Sequence, residues 1–157
     1  MGVGRARRRE AGITSMEEGE GVVEREVFVA AAPATVFEFL CDPALMVQWL
    51  GRGQVLDARP GGAFRVEVSD GNIASGTYMV VDPPRRIAFT WGWETQNFAQ
   101  VRLPPGASLV EIELEPKDNG TLVRLRHRGL PDDMMDMHRD RWGRYLQQLA
   151  SACAASR

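Results

Sequence analysis

The clearest pattern along the chain is helical and lies near its C-terminal end. Between Asp132 and Cys153 the apolar residues recur as Met135, Trp142, Leu146, Leu149 and Cys153, with His138 and Tyr145 on the same flank. That is the spacing of a helix. Arg139, Asp140, Arg144 and Gln147 fall on the opposite side. Such a helix lays one apolar stripe on a concave partner and shows its charges to water.

Nearly everything before it reads as strand. Val22 to Ala30, rich in valine and bounded by glycine and Ala-Pro, is the first. Pro33 then opens a short helix through Phe37 and Leu40, since proline fits a first helical position. Asp42-Pro43 repeats the signal as cap and first residue of a second short helix, ending near Trp49 and stopped by Gly51 and Gly53. From there strand-like runs alternate with turn residues. Gln54 to Ala58 precedes Pro60-Gly61-Gly62, and Ala63 to Val68 precedes Asp70-Gly71-Asn72. Ile73 to Val81 precedes Asp82-Pro83-Pro84, and Arg86 to Trp93 precedes a long loop closed by Pro104-Pro105-Gly106. Strands joined by such turns make an antiparallel sheet. Its apolar face takes Phe64, Val66 and Val68 from one strand and Ile87, Phe89, Trp91 and Trp93 from another.

The last hairpin can be registered from the sequence. A loop of Lys117, Asp118, Asn119 and Gly120 puts Glu113 opposite Arg124 and Glu111 opposite Arg126 on one face. The other face then pairs Leu114 with Val123, Ile112 with Leu125, and Val110 with His127. A slip of one residue would bury the glutamates, so the pattern selects this register.

The layout is α+β: a first strand, two short helices, then a meander, giving one curved antiparallel sheet of about six to seven strands wrapped on the long C-terminal helix. A helix of ~10 to 12 Å diameter is narrower than such a sheet. Part of the apolar sheet face must therefore be covered by the short helices or left as a cavity, with the Trp93 to Gly106 loop at its mouth.

Composition narrows the reading. A chain of 157 residues, 44% hydrophobic, suits one domain, assigned here to residues 22–157. Residues 1–21 carry Arg5, Arg7, Arg8 and Arg9, then Glu17, Glu18 and Glu20, with five glycines, and are expected to form a disordered leader. Met16 is an alternative start. A net charge of -2 and a pI near 5.7 supply no field for nucleic acid or an anionic membrane, and the leader's arginines are offset by its glutamates. No segment approaches the roughly 20 apolar residues of a membrane span. Cys41 and Cys153 lack any paired spacing, and no secretory signal is legible, so the expected compartment is the reducing cytoplasm.

Candidate chemistry is sparse. His127 and His138 are the two histidines, and neither sits in a serine or cysteine nucleophile motif. With the cysteines they match no metal-ligand spacing. Gly2-x-Gly4 and Gly51-x-Gly53 lack the rest of a dinucleotide loop, so no cofactor is implied. Both histidines fall toward the apolar interior, His138 on the side of Trp142. There they either hydrogen-bond a polar group of a ligand, act as acid and base in a cyclisation, or are core histidines satisfied internally. The candidate ligand-binding residues are Trp49, Phe64, Tyr78, Phe89, Trp91, His127, Met134, Met137, His138, Trp142 and Tyr145. The same aromatics read equally as core.

From Val22 to Ala154 the order of elements resembles the helix-grip fold of the START-like, Bet v 1-like (SRPBCC) superfamily. Within it the chain is similar to proteins related to the C-terminal domain of the Hsp90 ATPase activator Aha1. The stretches that carry the likeness include Ala32-Pro33 through Trp49, Arg59-Pro60-Gly61-Gly62, Gly76-Thr77-Tyr78 through Arg86, Phe89-Thr90-Trp91, His127 to Leu130 and His138 to Leu149. Where that family has glycine before the tryptophan of its last helix, this chain has Arg141 before Trp142. The resemblance implies a hydrophobic cavity and non-enzymatic binding of a small hydrophobic molecule, as carrier or sensor. It leaves two alternatives, a co-chaperone-like module for an Hsp90-type ATPase and a polyketide cyclase or hydrolase-like enzyme.

Overall fold

The computed structural model describes residues 21–95 and 103–156. Residues 1–20 of the expected leader and the middle of the loop after Trp93 lie outside the described residues. Ten elements follow in order: β1 (Val22–Val29), α1 (Pro33–Cys41), α2 (Pro43–Met46), β2 (Arg52–Leu56), β3 (Ala63–Ser69), β4 (Asn72–Asp82), β5 (Arg86–Thr95), β6 (Ser108–Lys117), β7 (Gly120–Arg128) and α3 (Met135–Ala155). A 3-10 turn over Asp132–Met134 leads into α3. The seven strands form one antiparallel sheet in the order β1-β7-β6-β5-β4-β3-β2. β2 to β7 are thus the expected meander, and β1 returns across α1 and α2 to pair with β7.

Two boundaries differ from the sequence reading. α2 is a single turn, capped by the Asp42 carboxylate, which accepts from the Ala44 N–H at 2.9 Å. It ends at Met46 rather than near Trp49. β2 begins at Arg52, because pairing of Arg52 with Glu67 and Gly53 with Val66 draws the glycine into the ladder. Tertiary pairing there outweighs local turn preference.

The final hairpin has the expected register, Glu113 opposite Arg124, Glu111 opposite Arg126 and Val110 opposite His127. Lys117 and Gly120 are themselves paired, so the turn is only Asp118-Asn119, with Asp118 at φ 55°. On the outer face the charges continue across four strands: Glu26, Arg124, Glu113 and Arg86 align in one row. Several ion pairs run to neighbours other than the β6–β7 rung partners. Arg126 meets Glu24 of β1 at 2.9 Å, Arg124 meets Glu115 at 2.9 Å, and Arg128 meets Glu111 at 2.8 Å. Exposed pairs of this kind contribute ~0.2 to 1 kcal/mol each, so they set register more than stability.

α3 buries His138, Trp142, Leu146, Leu149 and Cys153, the stripe expected from its spacing. Its backbone runs alongside β1 and stands off from the rest of the sheet. At Gly143 an added Cβ would meet the guanidinium of Arg25 on β1. On the β3–β5 side the space between helix and sheet is spanned by side chains.

Candidate functional site

The inner sheet face carries a continuous run of rings. Phe64 on β3 stacks on Phe89 of β5, with centroids 4.2 Å apart and planes at 16°. Tyr78 on β4 meets both edge-on, at 5.7 and 6.0 Å. Trp91 follows along β5, 6.0 Å from Phe64, and from it the run crosses to α3, where the Trp142 ring lies 5.2 Å away. Trp93 stands at 83° to Trp91, and the half-buried Tyr145 closes the edge of Trp142 at 5.8 Å.

Both histidines are built into this layer and both are buried. The Trp142 indole N–H donates to His127 Nδ1 at 2.9 Å. His127 Nε2 lies 2.8 Å from Ser108 Oγ, whose hydroxyl donates to the Trp91 carbonyl at 2.7 Å. An indole nitrogen only donates, and the serine proton is already committed. His127 must therefore be neutral, with its proton on Nε2 and its Nδ1 lone pair filled. His138 has the opposite arrangement. Trp93 Nε1 donates to its Nε2 at 3.2 Å, so Nδ1 carries the proton and gives it to the Met134 carbonyl at 2.8 Å. Burial, with His138 nearby, holds His127 well below the usual imidazole range. Burial also lowers His138 to about 4, with the Met134 carbonyl opposing the shift and Arg141 adding to it. All four ring nitrogens are thus engaged within the protein.

Two polar atoms in the same layer are not. Trp91 Nε1 and the Tyr78 hydroxyl are buried with no hydrogen-bond partner among the described residues. Burial, then the nearby Cys41 and Asp57, pushes the Tyr78 phenol up, so it stays a protonated donor. Cys41 and Cys153 are free thiols, each pushed up to about 11 by burial.

Of the residues expected at the site, Phe64, Tyr78, Phe89, Trp91, His127, His138, Trp142 and Tyr145 form one connected cluster. Met134 joins it through its carbonyl, and the half-buried Met137 packs against the core. Trp49 stands apart in its hydrogen bonding. Its indole donates to the Phe39 carbonyl at 2.8 Å and ties the chain after α2 to α1. His138 pairs with Trp93 across the gap rather than with Trp142 on its own helix. Sequence reasoning left two participants off the shortlist. Trp93 was legible, sharing the inward parity of Trp91; Ser108, at the mouth of a loop, carried no signal. Elsewhere, an open groove of about 670 Å³ runs along the outer side of α3, between Val47 and Gln48 after α2 and Arg144, Gln148 and Ser151 of the helix.

A curved antiparallel sheet wrapped on one long helix, with an aromatic and histidine layer between them, defines the helix-grip class. The chain belongs to the family described as activator of Hsp90 ATPase homolog 1-like protein, which matches residues 30–154. An AHSA1-like protein of Rhizobium etli, solved in solution, is 39% identical, with a TM-score of 0.66 over 85% of this chain and 81% of that one. DynU16, from the dynemicin biosynthetic locus, is 22% identical with a TM-score of 0.74, covering 88% of this chain and 49% of its own. An uncharacterized protein of Schizosaccharomyces pombe is 28% identical over 113 residues, 70% of this chain and 30% of that protein. The chain therefore spans about half of DynU16 and under a third of the yeast relative. Among the described residues no helix is long and apolar enough to cross a membrane.

Proposed function

We propose that this domain binds a small, largely apolar molecule without transforming it, as a carrier or sensor, in the layer between the inner sheet face and α3. The observation that carries this reading is the asymmetric seat of α3. Its backbone follows β1, and the β3–β5 half of the aromatic face is covered by side chains. Side chains can re-sort to admit a ligand where packed backbone cannot. Met134 and Met137, at the start of α3, suit an adaptable entrance. Binding is favoured over acid–base chemistry because His127 and His138 have no ring nitrogen left for a substrate. The two free thiols accord with a cytoplasmic setting. Native mass spectrometry of the freshly purified chain, followed by a thermal-shift screen of apolar compounds, tests the reading. A co-purifying small molecule or a clear shift supports it, and an empty spectrum with no shift across a broad panel overturns it.

A second reading, a co-chaperone-like module for an Hsp90-type ATPase, is favoured by the family match itself. Stimulation of the host chaperone's ATPase by the purified chain tests it; no stimulation and no capture of the chaperone would remove it.

A further inference from the structure

We infer that the two indole–imidazole hydrogen bonds between α3 and the sheet form a proton-operated latch: protonation of His127 and His138 frees the helix from Met135 to Trp142, while the part beyond Gly143 stays packed. The latch is a property of the empty chain and does not depend on what the layer binds.

The two bonds cross the gap in opposite senses. Trp142 of α3 donates to His127 Nδ1 of β7, and Trp93 of β5 donates to His138 Nε2 of α3. In each the imidazole lone pair is the acceptor, so a proton on that nitrogen sets a second donor against the first. The remaining nitrogen of each ring cannot take the proton, since it already bears one directed at Ser108 Oγ or at the Met134 carbonyl. The ring centroids lie 5.1 Å apart and both rings are buried, so two imidazolium ions would also repel each other with little water to screen them.

The attachment of α3 divides at Gly143. Before it the buried side chains are His138 and Trp142, the two that make the bonds; after it they are Leu146, Leu149 and Cys153, none of which gains charge in acid. Glycine has the poorest helix propensity after proline, so the helix is weakest where the two parts meet. A freed stretch as short as Met135 to Trp142 does not keep its helix in water.

The charges around the rings oppose the protons. Opposite His127 stand Val23 of β1 and Val110 of β6, with Ser108, Trp91 and Trp142 around it. The titratable group acting on His127 is His138, and the one acting on His138 is Arg141. Asp132, Asp133, Asp136 and Asp140 at the same helix end are exposed, and Arg25 on the inner side of β1 lies at Gly143. The closed rings therefore refuse the proton, His138 down to about pH 4, whereas a freed imidazole takes it near 6.5. Opening is favoured progressively as pH falls through that range.

Hydrogen exchange of the ¹⁵N-labelled full chain, corrected at each pH for the intrinsic rate, tests the latch. Between pH 7 and 5 the amides of 139–142 and the indole N–H groups of Trp93 and Trp142 are expected to lose protection about tenfold or more. Those of 147–153 should change less than about twofold. Equal loss in the two parts would mean that the whole fold loosens and overturns the latch, as would protection of 139–142 that holds from pH 7 to 5. His127→Gln with His138→Gln puts an amide oxygen that does not titrate at each acceptor. In that variant the acid-dependent loss should fall below about twofold; a loss as large as the parent's assigns the effect to other groups and overturns the proposal. If the double variant folds poorly, each single substitution is read in its place. Each should show a smaller loss than the parent, and an unchanged loss in both overturns the latch.

Discussion

Trp142 on α3 and His127 on β7 are joined across the helix–sheet gap by an indole N–H to Nδ1 hydrogen bond of 2.9 Å. Through Ser108 the same imidazole reaches the backbone of β5 at Trp91. One buried chain of hydrogen bonds therefore sets the rotation of the helix against two strands. Trp142→Phe removes the donor, leaves the His127 lone pair buried and unpaired, and shrinks a side chain that is 1% exposed. The expected loss is about 2 to 4 kcal/mol in urea unfolding. A loss below about 1 kcal/mol would mean that the bond does not fix the helix.

Acid should loosen this layer before it reaches the surface carboxylates. In the folded chain His138 is lowered to about 4 and His127 is also held well below its usual range, both first by burial. An unfolded imidazole takes up its proton near pH 6.5. As pH falls from 6.5 toward 4, the unfolded chain binds protons that the folded chain refuses, so stability declines with falling pH. The slope is at most about 1.4 kcal/mol per pH unit for each histidine. Glu67 and Glu94, lowered chiefly by their bonds to Arg52 and Arg65, act in the same direction but only below about 4.5. The window from pH 6.5 to 5 thus isolates the imidazoles. Urea midpoints that stay flat from pH 7 to 5 would show that the rings are not held neutral.

Two glycines beside the site should respond in opposite ways to alanine. Gly143 lies inside α3, and an added Cβ would meet only the far end of the Arg25 side chain, which can swing away. Gly143→Ala is expected to raise stability by up to about 1 kcal/mol through helix propensity. At Gly92 on β5 the Cβ would run into the Pro104 carbonyl, on the stretch where Leu103 returns to bond Trp93. Gly92→Ala must displace backbone, and a loss of about 2 kcal/mol or more is expected. Thermal melts of the pair decide it: equal shifts would contradict these close approaches.

The sequence made the inward position of His127 legible because a one-residue slip in the last hairpin would bury Glu111 and Glu113. The buried stripe of α3 was legible for a similar reason, since helical spacing leaves Arg144 and Gln147 one solvated side. Hydrogen-bond partners were beyond such patterns. That Trp93 serves His138 and Trp142 serves His127 depends on rotamers and on the stand-off of α3 from β5, which neither spacing nor composition encodes. Ser108 was missed because a serine at a loop mouth looks like any turn residue. The early start of β2 was missed because glycine at position 53 signals a break unless β3 is there to pair with it.

Removing an unpaired buried donor should help the free protein. The Tyr78 hydroxyl has no partner among the described residues, so folding strips it of water and returns no hydrogen bond. Phenylalanine keeps the edge-on contacts with Phe64 and Phe89 and lacks the hydroxyl. Tyr78→Phe is therefore expected to be neutral or stabilising by up to about 1 kcal/mol, against the usual direction of core substitutions. Urea denaturation of parent and variant measures the difference. A loss of more than about 1 kcal/mol would reveal a partner for this hydroxyl within the fold.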